Sequence, residues 1–155
     1  MEESGNSPKN VMLIGQYTHE LDPKKRLTLP AKWRKELGDK VVVTNGLDNS
    51  LFLFSTKEWE KIAEKLASLS LGNSESRNFN RFFLSNAFEV DIDTQGRILL
   101  PETLAQYAKL RGKLVLAGMY KRIEIWNEEA WNECMETSAK DANQVAETLS
   151  SIGVL

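Results

Sequence analysis

Two arginines in this chain occupy the same place in two versions of one short motif. Asp22-Pro23-Lys24-Lys25-Arg26-Leu27-Thr28-Leu29-Pro30 returns, 71 residues on, as Asp93-Thr94-Gln95-Gly96-Arg97-Ile98-Leu99-Leu100-Pro101. A guanidinium is a planar fork of N–H donors that matches the O6 and N7 acceptors of guanine, or the oxygens of a phosphate. An aspartate facing it across a tight turn can hold the fork in one rotamer before contact. Lys24 and Lys25 add phosphate contacts with no base preference, and Gln95 joins them as a polar donor in the second turn. The candidate nucleic-acid-binding residues are therefore Arg26, Arg97, Lys24, Lys25 and Gln95, with Asp22 and Asp93 positioning the loops. A single Asp–Arg pair beside a turn is commonly a solvated ion pair worth ~0–1 kcal/mol. Its recurrence, with the turn chemistry between the two residues rewritten, favours a shared contact.

The elements that must carry these side chains repeat with them. Residues 17–21 and 88–92 alternate apolar and polar, the pattern of half-buried strands. A type I turn follows each, with Asp22 before Pro23 in the first copy and Gly96 closing the second. The outgoing strand points Leu27 and Leu29 inward and Arg26 and Thr28 outward, which puts each arginine near the tip of a ribbon. A two-stranded ribbon fits the major groove of DNA. Pro30 and Pro101 suit the first turns of short helices that run to Gly38 and Gly112. Residues 37–43 match 110–116, and residues 51–59 match 123–131, so the order and spacing hold across three blocks. Each copy thus adds a second hairpin, 41–43 with 51–54 and 114–117 with 123–126. Ser55 and Glu58 form a capping box for a helix whose face is Trp59, Ile62, Ala63 and Leu66. The division expected is an N-terminal extension over 1–13, a first repeat over 14–68, a linker and helix over 69–84, a second repeat over 85–140, and a polar tail over 141–155. Residues 69–76 are the expected linker proper, and the chain after Asp141 is weakly helical or disordered.

Bulk properties narrow the function. The chain has 155 residues, 41% of them hydrophobic, and a net charge of −2, but the charge is polarised. Between residues 20 and 35 six basic side chains face two acidic ones, whereas from Glu133 onward four acids face Lys140 alone. A basic stripe matters more for nucleic acid than the sum does. One cysteine, Cys134, and one histidine, His19, rule out a disulfide framework and make a Cys/His zinc site implausible. His19 reads as a packed core residue, Cys134 as a buried spectator thiol, and the aromatics Trp33, Trp59, Trp126, Trp131, Phe82 and Phe83 as core or subunit interface. No Gly-rich phosphate loop, nucleophile elbow or metal-ligand cluster is present, so no enzyme activity and no cofactor are expected. No apolar run approaches the ~20 residues that span a bilayer, and residues 1–10 lack the apolar core of a signal peptide, which makes the cytoplasm the default.

The paired D-x-x-x-R turns, each followed by an apolar strand and a proline, and the L-F-L-F block with its downstream E-W, resemble the MraZ family from Ile14 to Trp131. The resemblance implies a mainly β, α+β fold of tandem duplicated swapped-hairpin barrels of the AbrB and MazE type, with helices after each hairpin pair. It implies a transcription regulator, a repressor, of the bacterial division and cell wall gene cluster. Such a regulator binds short repeated promoter boxes in double-stranded DNA as a ring-like homo-oligomer at the nucleoid, with no membrane partner. Members of the family often carry Gly just before the first motif arginine, where this chain has Lys25. The second loop lies among Glu89, Asp91 and Asp93, an acidic setting less favourable to DNA than the first. The rival reading is an antitoxin-like interaction module whose acidic tail grips a partner protein.

Overall fold

The computed structural model describes residues 12–155, and the extension expected over 1–13 falls outside them up to residue 11. The first copy runs β1 (Leu13–Glu20), β2 (Arg26–Thr28), α1 (Ala31–Leu37), β3 (Lys40–Asn45), β4 (Leu51–Ser55) and α2 (Thr56–Ala67). After α3 (Ser74–Leu84) the second copy repeats the order as β5 (Phe88–Asp91), β6 (Arg97–Leu99), α4 (Glu102–Tyr107), β7 (Lys113–Tyr120), β8 (Ile123–Asn127) and α5 (Glu128–Ser151). The protein is α+β, with antiparallel strands throughout. It is a tandem duplication, as the two blocks of sequence require.

The duplicated units interlock instead of standing side by side. The six-stranded sheet has the order β1-β7-β8-β4-β3-β5, and β2 pairs with β6 in a separate two-stranded sheet. Exchanging each strand for its counterpart returns the same order, so a pseudo-twofold axis passes between β4 and β8 and again between β2 and β6. Only the hairpins β3–β4 and β7–β8 lie within one copy. The strands on either side of each D-x-x-x-R turn therefore do not pair with each other. β1 goes to β7, β2 goes to β6, and the ribbon that carries the arginines is made by both copies together. A period-2 pattern shows which face of a strand is buried but not which strand lies beside it, so the sequence led only to a ribbon tip in each copy.

The inward positions fix the packing. Leu27, Leu29, Ile98 and Leu100 of the ribbon bury against Trp33 and Leu37 of α1, Leu104 of α4, and Val41, Leu53, Leu114 and Ile125 of the sheet. Pro30 and Pro101 lead α1 and α4 without a side-chain cap. α1 stops at Gly38, which has φ 81°, but α4 stops at Tyr107, before the expected Gly112. There Lys109 turns left-handed at φ 53°, and Leu110 drops into the core with its N–H bonded to the Ala105 carbonyl. On the other side of the sheet Phe54, Trp59 and Phe83 form an aromatic layer under α2 and α3, with Trp59 stacked on Phe83 at 5.5 Å. Ser55 caps α2 by accepting the Glu58 N–H, as the capping box required. The linker is tighter than expected, because Asn73 caps α3 from Ser74 onward. α5 continues unbroken through residue 151, although its final turns are largely exposed. Its Asn127 cap and its Ala, Glu and Gln content sustain a helix that has little apolar face to advertise it.

Candidate functional site

The two turns have one hydrogen-bond network. In the first, Asp22 Oδ1 accepts the N–H groups of Lys24 at 2.9 Å and Arg26 at 2.8 Å, and Oδ2 accepts Arg26 Nε–H at 2.7 Å. In the second, Asp93 Oδ1 accepts Gln95 N–H and Arg97 N–H, and Oδ2 accepts Arg97 Nε–H, each at 2.9 Å. The backbone closes both turns alike: Lys25 and Gly96 donate to the carbonyls of Asp22 and Asp93, which donate in return to the carbonyls of Arg26 and Arg97. This is a type I turn followed by one left-handed residue. The backbone N–H of the arginine, then its guanidinium, hold each aspartate below the ordinary carboxyl range, so both stay ionised. Nε–H is spent on the aspartate, and among the described residues the Nη groups of each arginine have no hydrogen-bond partner, which leaves the far edge of the part-exposed guanidinium available. Such an edge can take two acceptors at once.

The left-handed position is filled differently in the two turns. Gly96 sits at φ 81°, and Lys25 adopts φ 63° at the matching position. The turn is not altered by the lysine. It absorbs the strain of a side chain in that region, about 1–2 kcal/mol. Their surroundings differ as well. A Cβ at Gly96 would overlap the guanidinium of Arg34, which reaches across from α1. The residue matching Arg34, four past Pro101, is the buried Ala105, which leaves room for a side chain. Lys25 fills that side, where it lines a cavity of about 300 Å³ with Ala105, Gln106 and Lys109. In the sequence Arg34 stands out only as one of the six basic residues between 20 and 35. The signal that could have found it is paired: Lys25 with Ala105 in one turn, Gly96 with Arg34 in the other.

The ribbon sets the arginines side by side. Arg26 lies opposite Leu99, Leu27 opposite Ile98, and Thr28 opposite Arg97. The pairing extends at both ends through Leu29 N–H to the Gly96 carbonyl and Leu100 N–H to the Lys25 carbonyl, each at 2.9 Å. Leu27 and Ile98 are buried, so Arg26, Thr28, Arg97 and Leu99 share the outer face. Arg26 and Arg97 are diagonal neighbours on it, about 7–8 Å apart. Their side chains are 33% and 27% exposed, with Lys24 and Gln95 exposed at the turn tips. Lys40 bonds Asp91 at 3.1 Å and approaches Glu89 at 3.8 Å, so two of the acids beside the second turn are partly neutralised. His19 and Cys134 stand apart from the turns as half-buried residues on β1 and α5. Among the described residues no group of acids, His and Cys is placed to hold a metal, and no helix is long and apolar enough to cross a membrane.

Comparison with known proteins agrees with the duplication. A family model described as "MraZ protein, putative antitoxin-like" matches twice, over residues 12–82 and 83–151. A protein named Transcriptional regulator MraZ from Caldicellulosiruptor saccharolyticus is 45% identical over 143 residues, 92% of this chain and 100% of the relative. Proteins of the same name from Caldanaerobacter subterraneus and Clostridium acetobutylicum are 44% and 45% identical over the same shares.

Proposed function

Since the chain belongs to the MraZ family, we propose that it is a transcriptional regulator that binds promoter DNA sequence-specifically through the face shared by Arg26 and Arg97. The observation that carries this reading is the pair of locked guanidinium groups on one exposed side of one ribbon. A rotamer fixed before contact spares the ordering cost of binding. Lys24, Lys25 and Gln95 contact the backbone around the bases that the arginines read. Asp22 and Asp93 position and do not touch DNA.

One bidentate arginine–guanine pair supplies ~1–3 kcal/mol of discrimination, too little for a promoter complex. Assembly into a ring-like homo-oligomer multiplies the ribbons, and repeated boxes then bind at high effective concentration. The exposed edges of β1 and β5, with Ile14 and Phe88 uncovered beside them, suit such assembly. The regulator acts in the cytoplasm, at the nucleoid, and represses the division and cell wall cluster by occupying its promoter. It catalyses no reaction and takes no cofactor. The test is a titration of the purified protein against DNA from upstream of its own gene and against random DNA. Affinity for the upstream DNA falls steeply as salt rises, and Arg26→Ala loses far more on it than on random DNA. A flat salt response, or equal losses on both DNAs, refutes the reading.

A second reading follows from α5, which projects a long exposed helix bearing Glu133, Glu136, Asp141 and Glu147. As an antitoxin-like module, the chain would grip a partner protein with it. Deletion of the helix after Trp131 separates the two: if function is lost while DNA binding stays intact, the partner reading stands.

A further inference from the structure

The outer face of the β2–β6 ribbon departs from its own symmetry at one place. Of its four side chains, Arg26, Thr28 and Arg97 are polar, and the fourth, Leu99, is 58% exposed. The pseudo-twofold axis relates Leu99 to Thr28, so the alternation of buried and solvated positions calls for a polar residue there. Leucine is instead held up on the surface by a rigid, fully paired ribbon.

Its neighbours define what it can meet. The hydrogen-bonded pairs are Leu29 with Gly96 and Lys25 with Leu100, which makes Arg26 and Leu99 a non-hydrogen-bonded pair. In such pairs the Cα atoms are about 4.5 Å apart and the side chains lie against each other. Leu99 therefore stands beside the Arg26 side chain on the outer face. It also lines a shallow groove with Lys25, Val90, Asp91, Leu100, Pro101 and Glu102. Lys25 can meet a phosphate there, but Leu99 itself offers an oxygen no donor, which leaves the edge of a base for the leucine. Among base edges in the major groove, the apolar group is the 5-methyl of thymine.

We propose that Leu99 is a specificity-determining residue that packs on the 5-methyl of a thymine next to the base contacted by Arg26. Thr28 gives Arg97 only a smaller methyl beside a hydroxyl, so the two halves of the ribbon differ in the base edge they favour. The proposal rests on the DNA-binding reading above and adds a base identity to it.

The experiment replaces thymine by uracil in the upstream DNA, which removes the methyl and nothing else. The full-length protein binds the uracil DNA about fourfold more weakly for each methyl lost from the contact, the equivalent of ~0.8 kcal/mol per buried carbon. Leu99→Ser, which removes the apolar side chain, binds thymine DNA weaker by the same factor and no longer distinguishes it from uracil DNA. Melting temperature and subunit count are measured on the variant alongside. Equal binding of both DNAs by the unaltered protein overturns the proposal and leaves the regulatory reading intact. Undiminished discrimination by Leu99→Ser overturns it too, as does a changed subunit count, which would make Leu99 a subunit contact. Loss of all preference for the upstream DNA by the unaltered protein overturns both.

Discussion

The two turns reach one geometry from different residues. Both lock an arginine through Nε–H and both need a left-handed residue just before it. One uses Lys25 over Ala105, and the other uses Gly96 under Arg34. What is shared is therefore the network of the aspartate, not the residues between. What differs is where the extra cation comes from: the loop itself in the first turn, and the helix of the opposite copy in the second. A dimer of identical chains would have to place the same residues at both ends of its ribbon. Joining the copies in one chain frees each end to change alone, as Thr28 and Leu99 also show.

That comparison can be broken most forcefully at the arginines. If the turns bind DNA as equals, Arg26→Ala and Arg97→Ala cost the same affinity for the upstream DNA. The lysines around Arg26 and the acids around Arg97 make the first loss larger, in the range of about 5- to 100-fold per contact, and titration of each variant measures it. Next is Gly96→Lys, which copies the first turn into the second without its room. The left-handed strain and the overlap with Arg34 together cost about 2 kcal/mol or more, read as a fall in melting temperature of about 4–8 °C. Arg34→Ala in the same chain should recover part of it, and no recovery would show that the overlap is not what matters. Lys25→Gly is the gentler counterpart. It relieves the strain, raises the melting temperature by a degree or two at most because glycine also loosens the unfolded chain, and lowers the salt dependence of DNA binding by about one charge per subunit.

The smallest effect is with pH. Both aspartates have folded-state values depressed by the arginine N–H groups, so their contribution is present above the unfolded value and is lost only as pH falls through the lower, folded one. The Nε–H resonances of Arg26 and Arg97 should keep their bonded shifts from neutrality down to about pH 4. Loss of either near pH 5–6 would show that its aspartate is not held as described.

The turns were legible in the sequence because their chemistry is local. Asp22 before Pro23, Gly96 before Arg97, and the alternation after each are all read within ten residues. The arginines' outward direction follows from the same alternation. The partner of each strand was not legible, since the inward pattern of β2 suits any neighbour, and only the fold shows that β6 is that neighbour. Arg34 escaped notice because its contact with Gly96 joins residues far apart in the chain. The full length of α5 escaped because a helix with exposed ends carries little periodicity.

The crossing of strands between copies also sets a timetable for synthesis. Leu13 pairs with Tyr120 and Glu20 with Lys113, so β1 leaves the ribosome and waits about a hundred residues for its neighbour. At ~5–20 residues per second that is roughly 5–20 s. During that interval an eight-residue edge is open to other nascent chains. Gln16, Thr18 and Glu20, alternating along it, are the residues that keep the waiting strand soluble.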